Sequence, residues 1–130
     1  MIPRYRAWIK SLKWMCDVTN ISFDSKFVDI CQQGDTERCT EMSVEFDEIK
    51  LMQSTGLFDR NGKEIFEGDI LGTKDGLLNG VVEYKSDLGM WTNSLIRYNN
   101  FERLCNVANS REIIGNIYEN LEILEDKKWN

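Results

Sequence analysis

The amino-acid sequence contains no histidine, and only one of its 130 residues is proline. The lack of histidine excludes Ser-His-Asp triads, the HExxH motif of zinc proteases and an imidazole general base. No two cysteines are separated by two residues, so there is neither a zinc-ribbon motif nor a thioredoxin-type redox motif. The P-loop, GxSxG and GxGxxG motifs are absent as well, which leaves no recognisable catalytic or nucleotide-binding signature.

Long hydrophobic runs are also missing. No apolar segment approaches the ~20 residues needed to cross a bilayer, and residues 1–15 lack the uninterrupted apolar core of a signal peptide. We therefore expect a cytoplasmic protein. In that compartment the cysteines are expected to be reduced, buried thiols, although Cys31 and Cys39 flank a polar stretch and can meet across a hairpin; the other two are Cys16 and Cys105.

The charge balance is acidic, with 16 Lys and Arg residues against 22 Asp and Glu residues and a formal net charge of −6. DNA-binding domains usually carry a basic face, so this balance disfavours non-specific binding to duplex DNA. Hydrophobic residues make up 42% of the chain, which is enough for an ordinary globular core. The length favours one domain over residues 1–130.

Apolar and polar residues alternate in several short segments. This period of two predicts strands at residues 4–9, 27–31, 42–46 and 81–84. Tight turns are predicted at Asp59–Gly62, which contains an Asn-Gly pair, and at Gly68-Asp69. Short strands joined by close turns predict a mainly β (α+β) fold with a small β-barrel.

One short helix is predicted in the C-terminal part of the chain. Phe101, Leu104, Cys105 and Ala108 have the i, i+3, i+4, i+7 spacing of a helix face, and Asn100 and Asn109 are its predicted caps. Residues 113–118 predict a late strand, in which Gly115 indicates a bulge or a close backbone approach. A last helical turn is expected at residues 121–124.

Several segments of the chain share a pattern with one protein family. The run at residues 51–71, with LMQ, TGL and DRNGKEIFEGDIL, resembles the YopX family of bacteriophages and prophages. Arg4-Tyr5-Arg6-Ala7-Trp8 is similar to its opening FRAW element, residues 114–120 to its IGNIYEN element, and Gly80-Val81-Val82 to its G-x-V strand. The departures are Ser54 in place of an aromatic residue, Met90-Trp91 in place of Gly-Phe, and Leu121 in place of proline.

The resemblance implies a phage or prophage origin and a bacterial host cytoplasm. It divides the single domain into a variable N-terminal β region at residues 1–50, a family core at 51–124 and a frayed tail at 125–130. The bend at 67–70 followed by Gly80-Val81-Val82 is also similar to the diverging turn and G-x-V strand of SH3-like barrels. Since the family has no established biochemical function, the resemblance supplies no catalytic residues.

Our leading hypothesis is a non-enzymatic accessory protein that works through protein contacts. It would bind an unidentified host or phage protein, with self-association left open, and would require no cofactor, no metal and no membrane. The absence of a catalytic motif, the acidic composition and the family resemblance together favour this hypothesis.

The alternative is a regulatory protein that binds nucleic acid. Aromatic and basic residues alternate near the N-terminus, which is the pattern needed for base stacking combined with phosphate contact. The candidate residues are Arg4, Arg6, Trp8, Lys10, Lys13 and Trp14. We favour the simpler interpretation, in which Trp8 packs on a strand face and the cations are solvated, because this patch opposes the acidic whole.

A third hypothesis, the least favoured, is an enzyme that uses Glu67 and Asp69, with Glu64 nearby in sequence. Gly68 predicts a bend between these two acids, so we expect Gly68 to supply a special backbone conformation and Asp69 to cap the turn. Asn116 is open to two interpretations, lining a surface groove or satisfying a bulge.

Overall fold

The computed structural model describes residues 4–33 and 41–125. By backbone contacts the chain divides into two compact units, Met1–Gln53 and Ser54–Asn130. Two features discussed above, Cys39 and the tail from residue 126 onward, lie outside the described residues.

The described residues are mainly β, which confirms the predicted fold class. The strands are β1 (Tyr5–Ile9), β2 (Trp14–Ser22), β3 (Phe27–Gln32), β4 (Met42–Glu45), β5 (Ile49–Phe58), β6 (Glu64–Phe66), β7 (Asp69–Gly72), β8 (Gly80–Lys85), β9 (Met90–Leu95), β10 (Phe101–Arg103) and β11 (Glu112–Asn116). The helices are α1 (Leu104–Val107) and α2 (Leu121–Leu124), with 3₁₀ turns at Phe46–Glu48 and Ala108–Ser110. No described helix has the length and apolar character that a membrane crossing requires.

The strands pair in two antiparallel sheets. The order in the first is β4-β3-β2-β1-β5-β6, and the order in the second is β10-β9-β8-β7-β11. Strand β5 begins in the first unit and ends in the second. Antiparallel neighbours that follow one another in sequence need only short turns, and this is why glycine and asparagine are frequent between the strands.

The core of the first unit lies on one face of its sheet. Alternation along β1 directs Ala7 and Ile9 to this face, and the register places Cys16 opposite Ala7. The buried members of this core are Ala7, Ile9, Cys16, Val28, Ile30, Val44 and Ile49. Half-buried Trp14 and Phe46 pack against them.

The core of the second unit combines strands with α1. Its buried members are Ile65, Leu71, Val82, Leu104 and Ala108. Strand β7 pairs with both β8 and β11. In chain order, β7 is therefore the first strand of this sheet and lies beside β11, the last one. In α1 and the 3₁₀ turn after it, Leu104 and Ala108 are directed into this core.

The predicted closed barrel is not detected in residues 4–33 and 41–125, where both sheets are open. Strands β10 and β11 are the two ends of the five-stranded order and do not pair with each other. The chain between them forms α1 and a 3₁₀ turn, which contribute Leu104 and Ala108 to the core. The chain between β10 and β11 therefore packs helical side chains into the core and adds no further strand to the sheet.

The predicted helix exists but begins later than expected. Phe101 lies in β10 and pairs with Ser94, so α1 starts at Leu104. The predicted caps were wrong: the Asn100 side chain accepts a hydrogen bond from the N–H of Phe101, and Asn109 lies inside the 3₁₀ turn. Phe101 and Leu104 are three residues apart in sequence whether Phe101 belongs to the helix or to a short strand before it. The i, i+3 pattern therefore could not reveal that residues 101–103 form β10.

Candidate functional site

Asp59 lies at the start of the turn between β5 and β6 and is almost completely buried. One carboxylate oxygen accepts the N–H of Asn61 at 2.8 Å and the N–H of Lys63 at 2.9 Å. The other accepts the N–H of Ile113 at 3.0 Å. Burial raises the pKa of Asp59, but these three donors outweigh it and lower the pKa below the ordinary value, since each favours the charged form.

The same turn is connected to β11 by further contacts. The N–H of Arg60 donates to the carbonyl of Arg111 at 2.9 Å. The side chain of Glu112 accepts a hydrogen bond from Asn61 at 3.2 Å and lies 3.6 Å from the Arg60 guanidinium. Gly62 has φ = 81°, as the predicted tight turn requires. The DRNG segment, residues 59–62, therefore holds the turn between β5 and β6 against β11.

Gly68 and Asp69 form the predicted bend. Gly68 has φ = 87°, which is unfavourable for a residue with a side chain. Asp69 is 2% exposed, and its carboxylate accepts the N–H of Phe66 at 2.8 Å. The carbonyl of Gly68 accepts the N–H of Ile117 at 2.9 Å, which joins this bend to the IGNIYEN element. Asp69 thus caps the turn, in agreement with the architectural interpretation.

Asn116 organises the turn after β11. Its side-chain oxygen accepts the N–H groups of Tyr118 at 3.0 Å and Glu119 at 2.9 Å, and its amide donates to the Glu119 carboxylate at 2.8 Å. The side chain of Asn120 accepts the N–H of Asn116 and lies directly against Gly115, where a Cβ would overlap it. The register shifts between Ile113 and Gly115, which confirms the predicted bulge, and the group closest to Gly115 is a side chain and not a second backbone.

The acids considered for catalysis have structural partners. The Glu64 carboxylate accepts a hydrogen bond from the Ser54 hydroxyl, and Asp69 is occupied at the bend. Glu67 lies beside Gly68 and is half-buried. Across the described residues, no group of three or more Cys, Asp or Glu side chains is arranged to hold a metal ion.

A buried ion pair in the second unit has no counterpart in the sequence analysis. Arg111 is 8% exposed and binds Glu102 through two parallel hydrogen bonds, one of them 2.7 Å long. Asn93, on the strand next to Glu102, donates to the same carboxylate at 3.1 Å. The Arg111 and Asn93 donors lower the pKa of Glu102 despite its burial, and the carboxylate raises the pKa of Arg111.

The basic and aromatic residues of the N-terminus do not share one surface. Alternation places Arg4, Arg6 and Trp8 on the face of β1 opposite to Ala7 and Ile9. Trp14 pairs with Ile9 and packs against the core on the other face. Arg6 is 6% exposed, so it presents little surface to a ligand.

Two lysines of the same set lie at the turn between β1 and β2. The Lys10 ammonium donates to the carbonyl of Asp47 at 3.1 Å, and Lys13 adopts φ = 56° and is exposed. A cation that sequence reasoning missed is Lys50, which pairs with Trp8 across β1 and β5. Only the strand register shows this, because Lys50 lies far from Trp8 in sequence.

The family model for YopX proteins matches residues 4–125, nearly the whole chain. The chain belongs to the YopX family. The crystal structure of protein EF1440 from Enterococcus faecalis is similar to it, with a TM-score of 0.60 and 28% identity, covering 96% of this chain and 99% of that chain. A comparison with curated proteins finds no match.

The cysteines of this YopX-family chain differ from the expectation of four buried thiols. Cys16 is free and buried, and burial together with the nearby Asp17 charge raises its pKa to about 11. Cys105 is free but exposed on α1, where the predicted helix face would have buried it. Cys31 is disulfide-bonded, so the expectation of a reduced thiol was wrong there.

An open cleft lies in the first unit of the YopX-family chain, at the turn between β2 and β3. It has a volume of about 330 Å³ and is lined by Ser25, Lys26, Glu45, Phe46 and Asp47. The ring of Phe23 makes an edge contact with the ring of Phe46, with a centroid distance of 6.0 Å and an interplanar angle of 81°. The cleft combines aromatic surface with carboxylates and was not anticipated from the sequence.

Proposed function

We propose that this protein is a phage- or prophage-encoded accessory protein that acts without catalysis, through contacts with proteins of the bacterial cytoplasm. The observation that carries the proposal is that polar side chains of the family motifs bind backbone groups of the protein itself. Asp59, Asp69 and Asn116 each accept backbone N–H groups within their own fold. Polar groups engaged in this way maintain a scaffold, which leaves recognition to the exposed surface around it.

The second unit offers apolar surface suited to such recognition. Tyr84 and Leu88 are exposed at the hairpin of β8 and β9. The ring of Tyr84 makes an edge contact with the ring of half-buried Trp91, with a centroid distance of 5.2 Å. Tyrosine and tryptophan are enriched at protein interfaces because they bury a large apolar area while retaining a polar atom.

We also propose that the second unit is related to SH3-like barrels. The support is the bend at Gly68-Asp69, the short antiparallel strands that follow, and the pairing of β11 with β7. Many SH3-like proteins bind other proteins, but a shared fold does not determine function. The proposal of protein recognition therefore rests on the exposed apolar surface at Tyr84 and Leu88 and not on the fold.

The test is affinity capture from a bacterial host with the tagged full chain, followed by mass spectrometry. We expect specific partners with the wild type, and their loss when Tyr84→Ser and Leu88→Ser are combined. The matched control is Leu77→Ser, another exposed leucine of the second unit. Failure to enrich any protein over the tag alone contradicts the proposal, as does hydrolysis of a test ester or phosphoester that Glu67→Gln abolishes.

Nucleic-acid binding is the alternative function, and one observation favours it. The face of β1 that carries Arg4 and Trp8 also receives Lys50 from β5. Stacking on Trp8 combined with phosphate contacts from these cations would suit a single strand. Arg6 is buried, so its substitution would confuse folding with binding.

Mobility shifts at low salt with single- and double-stranded probes test the alternative. A salt-sensitive shift that is lost in the double variant Arg4→Ala/Lys50→Ala would support it. The control is Lys74→Ala, an exposed lysine of the second unit. Absence of any shift with the wild type ends this alternative.

A further inference from the structure

In the first unit, the segment between β4 and β5 contacts both the turn between β1 and β2 and the turn between β2 and β3. The N–H of Lys10 donates to the carbonyl of Glu48 at 3.2 Å, and the Lys10 ammonium donates to the carbonyl of Asp47. The N–H of Phe46 donates to the carbonyl of Lys26 at 2.9 Å. The turn between β1 and β2 and the cleft beside β4 are therefore neighbours, joined through Asp47 and Glu48.

The first of these turns carries an exposed apolar side chain next to a cation. Leu12 is 47% exposed at the tip of the hairpin. Lys13 follows it, and its N–H donates to the carbonyl of Ile9 at 2.8 Å, which closes the turn. Within the described part of the chain the Lys13 ammonium has no carboxylate partner. We call residues 10–13 the basic tip.

The cleft is lined by two carboxylates and one cation, Lys26, so its charge is opposite in sign to that of the basic tip. Glu45 and Asp47 are exposed on its lining, and neither carboxylate has an ion-pair partner among the described residues. Phe46 supplies an apolar wall, and Phe23, 62% exposed, extends it. A ligand that combines a cation with a short apolar side chain would match both features.

We propose that a second copy of this chain fills the cleft, with Leu12 and Lys13 of one protomer against Phe46 and Glu45 of the partner subunit. The basic tip and the cleft are neighbours in one protomer, and in the proposed dimer a two-fold axis between them makes both contacts at once. This inference rests on the proposed function only in naming one partner for its protein contacts. Each contact occurs twice, which strengthens an interface built from individually weak ion pairs.

The test is sedimentation velocity on the purified full chain over a range of concentrations and ionic strengths. We expect a reversible dimer that weakens as salt is added. Lys13→Glu and Glu45→Lys should each raise the dissociation constant by about tenfold or more, since attraction becomes repulsion twice per dimer. The double variant Lys13→Glu/Glu45→Lys should recover wild-type affinity to within about threefold.

Two further variants keep the result interpretable. Lys74→Glu makes the same charge change in the second unit and should leave the dissociation constant unchanged. Leu12→Ser removes the apolar contact without changing charge and should weaken the dimer. Circular dichroism confirms that each variant is folded.

A monomer at every concentration overturns the inference, as does a dimer that neither single charge reversal weakens. Failure of the double variant to recover affinity also overturns it, because the two residues then do not face each other. Binding of an unrelated basic protein in the cleft, without a wild-type dimer, assigns the surface to a different partner. Capture of host proteins by monomeric Lys13→Glu tests the proposed function separately.

Discussion

The carboxylate of Asp59 and the N–H of Ile113 are joined by a 3.0 Å hydrogen bond across 54 residues of sequence. This contact connects the DRNG turn to β11, which carries the start of the IGNIYEN element. Two family signatures that are distant in sequence thus form a single structural unit. Four consequences of this and related contacts can be measured.

Asp59→Ala should lower the free energy of unfolding by about 3 kcal/mol. The substitution leaves three N–H groups without their carboxylate acceptor, and hydrogen bonds to a charged acceptor are among the stronger ones. Urea unfolding followed by circular dichroism measures the change. Asp87→Ala, at an exposed position, is the control and should have almost no effect; equal losses in both variants would contradict the role assigned to Asp59.

The ion pair of Glu102 should make stability depend on pH. The pKa of Glu102 is lowered in the folded state from an ordinary value of 4.5, chiefly by hydrogen bonds from Arg111. Because the pKa is lower in the folded state, the charged carboxylate stabilises the fold at every pH above the pKa of the unfolded state. This stabilisation is lost as the pH falls through the pKa of the folded state. Unfolding measured from pH 7 downward should show wild-type stability declining below about pH 4.5.

Glu102→Gln supplies the comparison for that pH series. The variant should be less stable near neutral pH, because Arg111 is left buried without its counter-charge. The difference from the wild type should shrink as the wild-type carboxylate becomes protonated. A constant difference across the whole pH range would show that protonation of Glu102 is not involved.

Gly115→Ala should destabilise the fold through a steric conflict with Asn120, whose side chain occupies the space of the new Cβ. Asn120→Ala alone removes a hydrogen bond to Asn116 and should also be destabilising. The double variant should lose less stability than the sum of the two, because Asn120→Ala removes the amide group that overlaps the new Cβ most and leaves only its own Cβ, at 2.9 Å. Thermal unfolding of all four proteins measures this coupling, and strict additivity would contradict it.

Cys16 and Cys105, the free cysteines among the described residues, should differ strongly in reactivity. Cys105 is exposed, whereas Cys16 is buried and has a pKa raised to about 11. Thiolate is the reactive form, so an alkylating reagent near neutral pH should modify Cys105 first and Cys16 only after unfolding. Peptide mass spectrometry over time resolves the two sites, with Cys105→Ser as the control for assignment.

The turns could be predicted because their chemistry is local. Gly62 and Gly68 adopt positive φ angles, and each stands in a short polar segment between apolar runs. Asp69 followed from the same reasoning, since a carboxylate beside a glycine bend can accept a nearby N–H. In these places a few adjacent residues determine the structure.

Strand β2 and the basic tip could not be predicted in this way. The register of β2 against β3 shifts between Val18 and Asn20, which interrupts the alternation on which strand prediction depends. The pairing of Glu102 with Arg111 could not be predicted from neighbouring residues, because charged residues are usually exposed and nothing in the sequence indicates that these two are buried together. Likewise, the neighbourhood of Lys10 and Asp47 depends on a contact 37 residues apart in sequence.

The hydrogen bonds from Asp59 and Arg60 to residues 111 and 113 also affect whether another chain can pair with β11. A lone outer strand is a template to which another chain can add, and native folds usually block it. Here backbone groups of Arg111 and Ile113 on the side away from β7 are already taken by the DRNG turn. Lengthening or deleting that turn would therefore expose these backbone groups, and another chain could then pair with β11.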